Sequence, residues 1–175
     1  MRYVLSFGYD TLLHQSALSF IANNGQITPL TPFYIGQYSL EILINYVTNI
    51  NFTFIERWLV PVSSVLLLLP IGKQLLTKVG LKANYFVAIL AIILLIPQEL
   101  TYTSPYNFAL LWSIISACFI FIYNKTKEIS DWRLSFLTAL CSFFIHPIIG
   151  LHTLTIVLII YFYNKSNIRH KNIFL

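Results

Sequence analysis

The chain has 175 residues, of which 57% are hydrophobic and only 10% are charged, and its net charge is +5. A soluble domain averages about 25% charged residues, so this composition is that of a membrane protein. The basic excess lies in short loops between apolar runs, which argues against a nucleic-acid partner. Cys118 and Cys141 fall inside apolar runs and indicate neither a disulfide nor a metal site.

Two amphipathic segments come first, at residues 11–23 and 34–50. Asn24-Gly25 is a turn signal that ends the first segment, and Pro32 breaks the chain before the second. Apolar side chains share each segment with a polar side, which is typical of a helix lying in the membrane interface. In the second segment the polar side consists of Gln37, Glu41, Asn45 and Asn49.

Five apolar runs follow, and each is predicted to span the membrane. A spanning helix needs about 20 residues, so the shorter runs must borrow flanking residues. The runs are residues 59–71, 85–96, 107–123, 134–145 and 148–163.

Nine of the eleven basic residues fall in three segments between or after these runs, at 73–82, 125–133 and 165–171. Cytoplasmic loops accumulate Lys and Arg, so all three segments are expected on the inner side. This assignment divides the chain into an outer loop with two surface helices (1–56), a helical bundle (57–163) and a basic cytoplasmic tail (164–175).

The stretch 134–163 has two readings, one long helix interrupted by Pro147 or two spans that meet at His146-Pro147. One helix would place two basic segments on opposite sides of the membrane, so two spans are favoured. A re-entrant half-helix at 134–145 is the alternative. The predicted fold is an all-α integral protein of the cell membrane, with two interfacial helices and about five transmembrane helices, the last two short.

Asp10 and His14 form the most specific polar pair. On a helix that starts at Asp10 they share one face, where they could bind a divalent cation or act as an oriented acid and base. The simpler reading makes Asp10 the N-cap of the following helix and His14 an interfacial polar residue.

Other candidate residues lie on the predicted outer side. Glu99 is an acid in the second outer loop, or a solvated residue that marks the end of a span. Arg57 could bind a donor phosphate, or snorkel and pair with Glu56. His146 and Pro147 form the last outer turn, where His146 is either a satisfied polar residue at a helix end or an ionisable group that marks function.

Several short motifs together resemble the GT-C-type glycosyltransferases, polytopic enzymes that use polyprenyl-phosphate-linked sugars. The resemblance covers most of the chain, although each of its motifs is short and degenerate. The motifs are Gly8-Tyr9-Asp10 with His14, Pro32-Phe-Tyr-Ile-Gly-Gln-Tyr38, Thr103-Ser-Pro-Tyr-Asn-Phe-Ala109 and His146-Pro-Ile-Ile-Gly-Leu151.

The resemblance implies glycosyl transfer at the outer membrane face from a lipid-linked sugar donor. The partners that it implies are this donor and the surrounding membrane lipids. It makes Asp10 the essential first-loop acid and Glu99 a candidate second acid that helps to bind metal. The metal-dependent branches of that family have a second acid beside the first, and this sequence has none beside Asp10. The family has a span before that acid and further spans after the last basic loop, so the chain is expected to be a fragment.

A transporter or flippase is the alternative from another class, and a non-catalytic membrane protein is the third. A coupled transporter would place ionisable groups in its spans. The polar mid-span residues here carry no charge; they are Ser63, Ser64, Ser113, Ser116 and Cys118. The sequence therefore favours the transferase.

Overall fold

The computed structural model describes residues 11–26, 34–80 and 98–171. Every regular element in these ranges is helical. Three helices are long and apolar enough to cross a membrane, namely α3, α4 and the part of α6 at Pro147–Lys165. The predicted all-α fold is thus confirmed for the described residues, while the number of spans and the interfacial position of the first two helices stay predictions. The elements are α1 (Thr11–Asn24), α2 (Ile35–Thr48), α3 (Phe52–Val79), a 3₁₀ helix (Gln98–Thr101), α4 (Pro105–Thr126), α5 (Ile129–Ile145) and α6 (Pro147–Lys171).

Local signals set the ends of α3 and α4. The Asn51 side chain accepts the Thr53 N–H at 2.9 Å and caps the start of α3. Gly80 ends that helix in the left-handed conformation, at φ 78°. The Ser104 hydroxyl accepts the Asn107 N–H at 3.1 Å and caps α4, which begins with proline. These ends follow from the residues alone.

The predicted break at His146-Pro147 is present. His146 is extended, with φ −145° and ψ 101°, and separates α5 from α6. The two helices then pack tightly, because Gly150 lies directly against the Phe143 backbone where any Cβ would overlap it. Beyond the hairpin, α6 continues through much of the predicted cytoplasmic tail to Lys171.

α4 lies at the centre of the bundle and packs against α3, α5 and α6. Its fully buried side chains include Leu111, Ile115 and Ile122. The Val60 N–H near the start of α3 donates to Thr103 Oγ1 just before α4, at 3.0 Å. α3 and α4 therefore begin at the same end of the bundle, and Gly80 and Gln98 lie at opposite ends. The predicted span at 85–96 falls outside the described residues.

A seam of serine hydroxyls joins α4 to α5. Ser116 Oγ donates to the Ser135 carbonyl at 2.8 Å, and Ser135 Oγ donates to the Ser116 carbonyl at 2.9 Å. Closer to the His146 end of α5, Ser142 Oγ donates to the Ala109 carbonyl at 3.0 Å and shares a 2.9 Å hydrogen bond with Ser113. Such bonds hold membrane helices together at about 0.6 kcal/mol each, and small side chains let the backbones approach.

Basic residues from two of the three predicted inner segments lie at one end of the bundle, where they bond to acidic and amide side chains. Lys78 at the end of α3 donates to Asp131 Oδ2 at 2.9 Å and to Glu128 Oε2 at 2.7 Å. Lys127 donates to Asn164 Oδ1 at 2.7 Å, which links α4 to α6. We call this the basic end; the prediction places it in the cytoplasm.

We expect Asp131→Asn to destabilise the fold much more than Glu128→Gln. The Asp131 side chain is 2% exposed, against 55% for Glu128. Asp131→Asn replaces a buried carboxylate, which accepts from both Lys78 and Thr126, by an amide, at a cost of about 1.5–3 kcal/mol, whereas an exposed pair is worth about 0–1 kcal/mol. Thermal unfolding of the purified variants in detergent measures the difference, and equal effects would contradict the assigned role of Asp131.

Cysteine labelling tests the predicted sidedness. In a chain without Cys118 and Cys141, single cysteines at Asp10, Thr101 and Lys127 are probed in intact cells with a membrane-impermeant maleimide. We expect the first two positions to label before lysis and Lys127→Cys only after it. The reverse pattern would invert the topology.

Candidate functional site

α1 and α2 pack against the end of the bundle opposite the basic end. Gly36 in α2 abuts the last turn of α5, where a Cβ would lie 3.0 Å from the Phe144 carbonyl. Gln15 in α1 donates to Glu56 Oε2 at the start of α3, at 3.0 Å. These contacts bring α1, α2, α3 and the His146 turn together, and we call this region the polar end.

α2 turns its polar side inward. Gln37 and Glu41 are 3% and 0% exposed. Leu43, Tyr46 and Val47 on the other side are 57%, 85% and 71% exposed. A helix in water would have the opposite orientation, so this arrangement suits a helix whose outer side meets lipid. The amphipathic pattern at 34–50 predicted the helix, and the packing determines which side is buried.

An aromatic cluster surrounds His146 at the polar end. The Tyr34 and His146 ring centroids are 5.4 Å apart, and Tyr106 packs edge-on to His146 at 6.1 Å. Burial lowers the pKa of His146, so its imidazole is neutral at neutral pH. His146 Nδ1 is buried and has no hydrogen-bond partner among the described residues.

Tyr34 holds this cluster in an unusual backbone conformation. It precedes α2 with φ 69° and ψ 10°, a left-handed geometry that costs a non-glycine residue about 1–2 kcal/mol. Its ring also packs against His14 at 5.7 Å and Tyr38 at 6.3 Å. Backbone strain of this kind concentrates at functional sites, which makes Tyr34 a candidate site residue.

Glu41 places a fully buried carboxyl group at the polar end. Gln37 Nε2 donates to Glu41 Oε1 at 2.6 Å. The other carboxyl oxygen, Oε2, is buried without a hydrogen-bond partner in the described parts of the chain, and so is Gln37 Oε1. Burial raises the pKa of Glu41 from 4.5 to about 8; the Gln37 hydrogen bond opposes this rise, and the charge of Glu56 adds to it. Glu41 is therefore largely protonated at neutral pH.

Most of the predicted site residues that the structure describes lie at the polar end. His14 Nδ1 shares a 2.6 Å hydrogen bond with the Tyr38 hydroxyl. Arg57 follows Glu56 in the first turns of α3, and the backbone of Glu99 lies in the 3₁₀ helix that packs near the start of α3. His146 and Pro147 form the α5–α6 turn.

Asp10 lies outside the described residues, directly before the first turn of α1. Its role as an essential acid, and a metal ion held between Asp10 and Glu99, therefore stay predictions. Within the described ranges, no group of three or more His, Cys, Asp and Glu side chains is close enough to hold a metal ion.

Sequence reasoning missed Gln37 and Glu41 as site residues, although it placed both on the polar side of the second helix. The signal was available, since an acid four residues after a glutamine on a lipid-facing helix must be shielded or neutralised. What the sequence could not supply is the depth of burial.

No protein-family model matches this chain, and comparisons with curated proteins and with solved structures found no significant match. The class of the protein is therefore defined by its described residues, which form a helical bundle with three helices of membrane-spanning length and apolarity.

Glu41 makes stability depend on pH. Its folded pKa is about 8 and its ordinary pKa is 4.5, so between these values the folded state keeps a proton that the unfolded state loses. Stability should fall as pH rises through this window, by at most about 1.4 kcal/mol per pH unit. Glu41→Gln removes this term, and we expect it to melt at a higher temperature than the wild type near pH 8.

Thermal melts of both proteins across that pH range measure the effect. Glu128→Gln is the matched control, because Glu128 is an exposed acid at the basic end. Parallel melting curves for wild type and Glu41→Gln would contradict a protonated Glu41.

Proposed function

We propose that the chain is the membrane-embedded part of a glycosyltransferase that takes sugar from a polyprenyl-phosphate donor at the outer membrane face. One observation supports the proposal: the backbone positions of four candidate residues from distant parts of the sequence lie at one end of the bundle, opposite the basic end. They are His14 in α1, Arg57 in α3, Glu99 in the 3₁₀ helix and His146 after α5.

The position of α1 supports a role for Asp10. α1 starts at Thr11, so Asp10 directly precedes in sequence the helix that carries His14. His14 is fixed there by Tyr38. A carboxylate delivered to this region would be placed to accept a proton from an acceptor hydroxyl.

The proposed reaction exchanges one bond for another at the anomeric carbon of the sugar. An acceptor hydroxyl attacks that carbon, its proton passes to Asp10, and the bond to the phosphate oxygen breaks. Polyprenyl phosphate leaves with the bonding electrons, and a cation near that oxygen lowers the barrier. Arg57 at the start of α3 is our candidate for that cation, or for a ligand of the donor phosphate.

The outward side of α2 supports a lipid-linked substrate. Its apolar residues Leu43, Tyr46 and Val47 are exposed beside a polar end that would lie at headgroup depth. A polyprenyl chain can lie along apolar surface of this kind while its phosphate and sugar reach the polar groups.

The buried hydroxyls of the bundle weigh against a transporter. Ser113 bonds to Ser142 at 2.9 Å and to Thr153 at 2.8 Å, which ties α4 to both α5 and α6. Ser116 and Ser135 bond to each other's carbonyls. These groups are engaged in helix packing and leave no row of open polar side chains for a solute among the described spans.

Asp10→Asn tests the proposed function in the full-length protein. We expect it to reduce transfer of labelled sugar from polyprenyl-phosphate hexoses at least about 100-fold, because the amide cannot take the proton. Glu128→Gln is the matched control and should retain transfer. The amount of each variant in the membrane fraction is measured by immunoblot, and normal transfer by Asp10→Asn at equal amounts would rule the assignment out.

A further inference from the structure

The polar end contains an unmatched pair of oxygens on α2. Glu41 Oε2 and Gln37 Oε1 are both buried and lack hydrogen-bond partners in the described residues, although Gln37 Nε2 bonds to Glu41 Oε1 at 2.6 Å. Leaving a buried polar atom unpaired costs about 1–3 kcal/mol, so two on neighbouring side chains require a partner, either a ligand or a buried water.

The chemistry of the pair limits what that ligand is. The bond from Gln37 occupies Oε1 of Glu41, which leaves Oε2 to carry the proton of the acid form. The pair then offers one O–H donor and, beside it, one carbonyl acceptor. A hydroxyl group both donates and accepts, and matches this pair. Phosphate oxygens only accept and an ammonium only donates, so neither matches it.

The surroundings of α2 favour the acid form. In the described parts of the chain, the titratable and charged groups on the elements packed against α2 at this end are His14 on α1, Glu56 and Arg57 on α3, and His146 after α5. Glu56 is itself only 5% exposed and its charge acts on Glu41. Two nearby carboxyl groups in a dry environment do not both ionise readily, and burial raises the pKa of Glu41 to about 8.

We propose that Gln37 and Glu41 form the subsite for a hydroxyl group of the donor sugar, with Glu41 as hydrogen-bond donor and Gln37 as acceptor. This inference rests on the proposed function and names the part of the substrate that α2 recognises. It makes Glu41 a specificity residue and leaves proton abstraction to Asp10.

Binding of two matched probes to the full-length protein in nanodiscs tests the subsite. One probe is a short polyprenyl phosphate that carries a hexose, and the other is its methyl ester, which has the same single negative charge and no sugar. We expect the wild type to prefer the hexosyl probe about tenfold at about pH 6, and to lose that preference at about pH 9 as Glu41 ionises.

Two variants separate recognition from folding. Glu41→Gln keeps a donor at this position without a titrating group, so it should keep the preference at both pH values. Glu41→Leu fills the space without a donor, so it should bind both probes equally at both pH values. The proposal is overturned if the wild type binds both probes equally, which is expected if the pair holds only a buried water. It is also overturned if Glu41→Leu still prefers the hexosyl probe.

The outcome is separable from that of the Asp10 test. If transfer depends on Asp10 while Glu41→Leu discriminates the probes normally, the subsite is wrong and the transferase stands. If transfer ignores Asp10 while the sugar preference follows Glu41, the subsite stands as a binding site and the assigned catalysis is wrong.

Discussion

Serine hydroxyls hold α5 against α4, and the positions of α6, α2 and the polar end all follow from that contact. Ser135 and Ser142 each reach a backbone carbonyl of α4, so the two helices are close along most of the length of α5. In lipid there is little hydrophobic drive to bring helices together, so small side chains and hydrogen bonds must do it. With α5 fixed, Gly150 brings α6 onto Phe143 and Gly36 brings α2 onto the last turn of α5.

Each end of the bundle contains a buried acid, and the two acids have different surroundings. At the basic end a buried acid, Asp131, is balanced by Lys78 and also accepts from Thr126 Oγ1 at 3.1 Å. At the polar end Glu41 is equally buried and no basic group is bonded to it in the described residues. One acid thus has a basic partner, whereas burial raises the pKa of the other.

This difference gives the polar end its proposed use. A buried carboxyl group whose oxygen lacks a hydrogen bond destabilises the fold, and such groups are found mainly where they serve recognition or chemistry. The left-handed Tyr34 and the unpaired Nδ1 of His146 lie in the same region and carry similar costs. Together with Glu41, they are the observations on which the proposed binding site rests.

Much of this architecture could be predicted from the sequence, because it depends on short-range rules. Apolar run lengths, the Asn51, Gly80 and Ser104 caps and the proline after His146 define helices and their ends through local backbone chemistry. The clustering of basic residues likewise predicted that the segments around Lys78 and Lys127 would share one end. Only tertiary packing decided that Gln37 and Glu41 face inward, that Ser135 bonds across to α4, and that Tyr34 meets His146. Burial and pairing depend on residues far apart in the chain, and those distances are set when the helices pack.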